Sequence, residues 1–379
     1  MDPTNPVEEE EYGALRTRSG YLVADAVRSF KVALEQSGAP AAGKSIHYSA
    51  DLICSGCFQL WQKLLYDYAF DHIGIASPRI FWFLRQRFSD MNIAWSKIPA
   101  EQFYRTVEYQ KTIAECVLVL RSCPRRPALK MPRVAPECHN EEWVRGATGA
   151  APVSAAVGRV FRGGSDLAVL RRVGDEFAKS CADGATEKAF FWMKWLLEED
   201  ARLRKDGGGS LSTLDRGPPQ WSGKQRSGVG FFIAAMLSEL FKEFSLKYSL
   251  RMSEEMQALL QLYSYPDKVF SAKRRLDLLC LAIQIVCEVP RWKVPAAPAL
   301  VKDPVALERA MSHAESFFRE VLAYDAPLGD VAKEAKKGSG KTTVPTVKPL
   351  SGKQLKQMNT DEHLAAYNAL VDGFYQGKI

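Results

Sequence analysis

Apolar residues recur along this chain at intervals of three and four, the spacing that lines one face of a helix. No apolar and polar alternation persists beyond about four residues, too short to argue for strands. The expected fold is therefore all-α. A first helix is expected over 21–37, with Leu22, Ala26, Phe30 and Leu34 on one face, and Gly38 and Pro40 end it. The next run, 49–73, places Ile53, Cys57, Leu60, Trp61, Leu64, Leu65 and Tyr68 on a broad stripe that stops at Gly74. Ser77 followed by Pro78 reads as a capping hydroxyl before a proline in the first turn, which starts a third helix through RIFWFLRQRF. A fourth is expected over 100–122, and the short links imply neighbouring helices packed side by side.

The pattern then changes. Between 124 and 164 the chain is rich in proline and glycine and poor in long apolar residues, so we expect a boundary there, either a functional arm or a segment without compact structure. Helical patterning resumes with LAVLRRVGDEFAKSC and TEKAFFWMKWLLEEDARLRK, the latter apolar almost all round in its first half. The stretch DGGGSLSTLDRGPPQWSG reads as a flexible linker, followed by helices over 224–248, 252–262, 269–287 and 304–324. The last segment divides into a Lys-rich stretch and a short amphipathic helix that displays Leu364, Tyr367, Leu370, Val371 and Phe374, capped by Thr360. The expected organisation is an acidic segment 1–20, a helical bundle 21–123, a basic arm 124–164, a second bundle 165–325, a flexible Lys-rich linker 326–359 and a terminal docking helix 360–379.

Charge sharpens this division. The whole chain carries a formal +7, but 121–172 holds ten Arg and Lys against four acids, a net of +6. The piece RSCPRRPALKMPR gathers Arg121, Arg125, Arg126, Lys130 and Arg133 on backbone that proline keeps from being helical throughout. Arg171, Arg172, Lys273, Arg274 and Arg275 are expected to extend the same face. Such a surface suits an acidic protein neighbour, or, as the alternative, phosphate groups of nucleic acid. The start MDPTNPVEEEEYG lacks the basic end and apolar stretch of an export signal, and the most apolar run, 276–289, is interrupted by Asp277, Gln284 and Glu288. An intracellular protein of cytoplasm or nucleus, not inserted in a membrane, is expected, and its eight cysteines read as reduced thiols.

Candidate chemistry changes the picture little. GSGKTT at 338–343 ends as a phosphate loop ends, but Ala335 stands where the first glycine belongs, DVAKEAKK before it is charged, and TVPTVKP after it cannot form the helix that completes an anion site. CSGC at 54–57 lies in an apolar stripe without a second CxxC, which favours structural thiols. Cys116, Cys123, Cys138 and His139 match no familiar zinc spacing, although an atypical metal site in the arm stays open at this point. The helical acids Glu198, Glu199 and Asp200, followed by ARLRK, read as solvated ion pairs. Neither a catalytic motif nor a cofactor is expected. The sequence points to a non-catalytic scaffold or subunit of a larger assembly, which binds protein neighbours through its basic arm and terminal helix. A nucleic-acid-associated factor is the alternative, and a helical enzyme whose site is assembled from distant residues is the third reading.

Overall fold

A computed structural model of the chain describes residues 15–126, 130–149, 151–207, 209–265, 269–288 and 297–324. The fold is all-α, with isolated β-bridges from Arg16 to Leu22 and from Asp166 to Ser212. In chain order the helices are α1 (Val23–Glu35), α2 (Ala39–Cys54), α3 (Phe58–Tyr68), α4 (Arg79–Lys97), α5 (Ala100–Arg105), α6 (Val107–Ser122), α7 (Glu141–Ala147) and α8 (Ala155–Val160). They continue with α9 (Ala168–Ala182), α10 (Thr186–Lys205), α11 (Gly223–Arg226), α12 (Val229–Tyr248), α13 (Ser253–Tyr263), α14 (Ala272–Cys287), α15 (Pro304–Ser312) and α16 (Ala314–Ala323). A π-helical turn, Ala69–Ile73, prolongs α3, and 3-10 turns cover Gly74–Ala76 and Pro136–His139. Among the described residues no helix is long and apolar enough to cross a membrane.

Where the structure breaks an expected helix, local chemistry explains the break. The run expected over 49–73 divides at CSGC. There Gly56 takes a φ of 81°, Gly56 N–H donates to Ile53 O and Cys57 N–H donates to Leu52 O, a Schellman end that only glycine enters cheaply. Pro40 does not end α1 but occupies the first turn of α2, where its missing N–H would be unpaired anyway. The helix expected over 100–122 is interrupted at Thr106, whose ψ of 118° is extended. Its hydroxyl donates back to Gln102 O.

The chain forms two compact units, one taking its described residues from Met1–Tyr68, Arg87–Ser122 and Val301–Ile379, the other from Ala69–Gln86 and Cys123–Leu300. This partition is drawn differently from the sequential bundles expected, because α15 and α16 pack with the amino-terminal helices. In the first unit α2 is central, touching α1, α3, α5, α6 and α16. Ile46 of α2, Ala114 of α6 and Ala314 and Phe317 of α16 form one fully buried cluster. Arg121, at the end of α6, donates to Ala33 O and Gly38 O, so it satisfies carbonyls at and beyond the end of α1.

The second unit is organised around α14, which touches α9, α10, α12 and α13 and buries nearly its whole length from Leu278 to Cys287. The segment expected to be an arm belongs to this unit, and it contributes α7, α8 and the buried Val134, Cys138, Val144, Val157 and Val160. Between α12 and α13 the packing depends on a glycine. A Cβ on Gly230 would stand 1.9 Å from Tyr263 Oη and 3.1 Å from its Cζ, and Tyr263 is itself buried. Gly230→Ala is expected to cost about 1–3 kcal/mol through overpacking. Chemical denaturation checks this, and an unchanged midpoint would show that Tyr263 swings aside freely.

Candidate functional site

The ten cations singled out in the sequence do not share one role. Arg121 is engaged in the first unit as described above, and Arg275 is buried in the second. Arg275 donates to Tyr263 O and Tyr265 O at 2.6 and 2.9 Å, with its guanidinium 4.2 Å from the centre of the Trp221 ring. It thereby closes the carboxyl end of α13. Arg274 forms a bidentate pair with Asp71 at 2.7 Å and reaches Asp277 at 3.1 Å, over the face of Phe70. Arg126 pairs with Glu288 at 2.9 Å. Arg125, Lys130, Arg133, Arg171, Arg172 and Lys273 are exposed. Arg171 lies over the Phe161 ring.

The exposed arm cations Arg125, Lys130 and Arg133 stand on non-helical backbone that is held at several points. Arg126 N–H donates to His72 O at 2.8 Å, its side chain is tied to Glu288, Lys194 of α10 donates to Pro132 O at 2.9 Å, and Val134 is buried. Met131 places its sulfur 3.5 Å from the Cys280 thiol. The described arm residues on either side of 127–129 thus have one set of side chains turned to the unit and another turned to solvent.

Beneath the inward-facing set lies a cavity of about 390 Å³, within the second unit. Its walls come from the π-helical turn, the Gly74–Ala76 turn, one face of α14, and Arg126 and Met131 of the arm. Asp277, Cys280 and Gln284 follow one another on α14 at intervals of three and four, so they share the face that lines the cavity. Glu288 continues that row. Burial pushes the Asp71 carboxyl up, but the hydrogen bonds and charge of Arg274 outweigh this and hold it below the ordinary range. At Asp277 burial wins over the same arginine, and the carboxyl is raised. Burial, with Asp277 nearby, also drives the Cys280 thiol far up, so it stays a neutral, soft wall group.

Two polar networks hold the rest of this unit. Asp166, whose side chain is fully buried, accepts from Arg216 at 2.5 Å, Ser212 at 2.6 Å and Arg162 N–H at 2.7 Å. Burial raises its carboxyl and these donors outweigh it, so it ionises below the ordinary range. Asp200 accepts from Leu211 N–H, Ser210 and Arg204. The described part of the glycine-rich stretch expected to be flexible is therefore pinned, with Leu211 and Ser212 buried. Glu199 and Asp200, expected as solvated ion pairs, are buried as well. Glu199 takes Arg202 and, at 2.8 Å, His139 Nδ1, whose ring stacks on Trp195.

The cysteines are thiols in structural surroundings. Burial raises Cys54 strongly and pushes Cys57 up to about 11, the direction of an unreactive pair. Cys116 lies in the first unit and Cys123, Cys138 and His139 in the second, and the described residues hold no group of three or more His, Cys, Asp or Glu suited to a metal ion. GSGKTT and the terminal helix residues Leu364, Tyr367, Leu370, Val371 and Phe374 lie outside the described residues.

Sequence reasoning missed the cavity, although one signal was visible. The three polar residues Asp277, Gln284 and Glu288 interrupt the most apolar run of the chain on a single helical face. No protein family, curated protein or solved structure matches the chain.

Proposed function

We propose that the chain is a non-catalytic scaffold subunit that docks an acidic protein neighbour on the exposed cations of its arm. The observation that carries this reading is the arrangement of Arg125, Lys130 and Arg133, exposed on irregular backbone that is already fastened to its own unit. Fastening matters because a segment held before binding loses less conformational freedom when a partner arrives. Exposed charges on such a segment steer encounter and set register more than they add affinity. Arg171, Arg172 and Lys273 supply further exposed positive charge in the same unit. The terminal helix enters the proposal through its sequence pattern alone, as a second contact with the same assembly.

A photo-crosslinking residue at Lys130 of the full chain, used in an extract of the native source, tests the proposal. Defined protein neighbours should be captured, retained after nuclease treatment, and lost in the variant Arg125→Glu, Arg133→Glu. Capture abolished by nuclease would replace the acidic protein with nucleic acid, whose binding should also fall steeply with salt. Capture that ignores the charge reversal would sink both.

A further inference from the structure

The cavity over α14 has the composition of a ligand site and not of a packing defect. Phe70, Ile73, Ile75 and Leu281 give it an apolar wall, while Asp71 and Asp277 mark a charged edge. Its size falls in the range of small-molecule sites, which combine an apolar lining with a few placed polar groups. A π-helical turn forms part of the wall, a distortion of helical geometry that recurs at functional sites.

A second observation points to what the site would hold. Gln284 is completely buried on the cavity wall, and its Oε1 accepts no hydrogen bond. The orientation of the amide is determined by its neighbour. Glu288 Oε1 accepts from Gln284 Nε2 at 2.9 Å while Glu288 Oε2 accepts from Arg126 at 2.9 Å, and a carboxylate paired to arginine offers acceptors only. The nitrogen must therefore face Glu288. The oxygen is left without a donor in a place where a buried unsatisfied acceptor is costly.

We propose that this cavity binds a small, largely apolar molecule, aromatic or aliphatic, that presents one N–H or O–H donor to Gln284 Oε1. The side chain that yields is Met131. It covers α14 at Cys280, one turn from Gln284, and its unbranched thioether repacks at little cost. Arg126, one turn beyond on Glu288, keeps the arm fastened while Met131 turns aside. The binding is non-covalent, and no group changes its bonding.

The uncharged fluorophore N-phenyl-1-naphthylamine, an apolar bicycle with a single N–H, tests this on the full chain. Titration should give saturable, single-site enhancement of emission. Its N-methyl derivative, which lacks the donor, should bind roughly 10-fold more weakly, the scale of one hydrogen bond to a buried acceptor. Gln284→Leu should bind the two probes equally, which separates loss of the donor from the bulk of the added methyl. Leu276→Trp, which adds volume at the cavity wall, should weaken both probes at least about 10-fold, with circular dichroism reporting an unchanged fold. Absence of saturable binding, equal affinity of wild type for the two probes, or binding indifferent to Leu276→Trp would each overturn the proposal.

Discussion

Asp166→Ala is expected to lower the free energy of unfolding by about 3–5 kcal/mol, the usual result of removing one member of a buried ion pair. Arg216 would lose its carboxylate while remaining only 10% exposed, and Ser212 and the Arg162 N–H would lose their acceptor. The strand-like bridge between Asp166 and Ser212, together with the buried Leu211, should loosen with it. Equilibrium denaturation in urea measures the loss, and hydrogen exchange at Leu211 and Thr213, whose backbone meets Asp200 and Ser165, shows where it falls.

The same carboxylate predicts a pH dependence. Its pKa is lower in the folded chain than in the unfolded chain, so the folded state binds fewer protons. The stability it contributes is fully present above its ordinary value near 4 and is lost as pH falls through the folded value. Asp166→Ala should therefore flatten the acid limb of the stability profile. A loss below about 1 kcal/mol, with the acid limb unchanged, would show that Arg216 and Ser212 find other partners.

The second large effect is expected at His47 in the first unit. His47 is 3% exposed, and its Nδ1 lies 3.7 Å from an oxygen of Glu320, whose carboxylate oxygens are buried without a hydrogen bond. Asp51, one turn along α2 and completely buried, accepts Ser19 N–H, and burial raises its carboxyl against the opposing influence of His47. Its sign is opposite to that of Asp166. The stability it contributes is present below its ordinary value and lost as pH rises through the folded one.

Two buried carboxyls thus flank one buried imidazole, and His47→Leu should cost about 3 kcal/mol by leaving Glu320 without that partner. Glu320→Met should be neutral or stabilising by about 1–3 kcal/mol, because apolar atoms replace a desolvated carboxylate. The double variant should recover most of the loss, a coupling that a double-mutant cycle reads directly. Strictly additive effects would show that the two side chains do not interact.

Much of this protein was legible from one dimension. The all-α class follows from spacing alone, since every residue that lines a helical face is within four positions of the next. Helix starts such as the Pro304 turn, with Asp303 accepting from Ala306 N–H, are equally local. The partners that tertiary structure chose are not local. His139 finds Glu199 sixty residues away, and Asp166 finds Arg216 fifty residues away, which is how a glycine-rich stretch that reads as a flexible linker becomes a pinned one.

The composition of 124–164 suggested exposure, yet short apolar residues such as Val134, Val144 and Val157 suffice for burial once larger helices provide a surface. Nor does periodicity say which face meets which. Phe317 and Val321, four residues apart, share one side of a helix, but only the packed chain assigns that side to α2 and α6. The cavity belongs to the same class of fact. Gln284 and Glu288 share a face by helical geometry, whereas the arm fastened over that face, and the acceptor left unpaired on Gln284, exist only when distant segments meet.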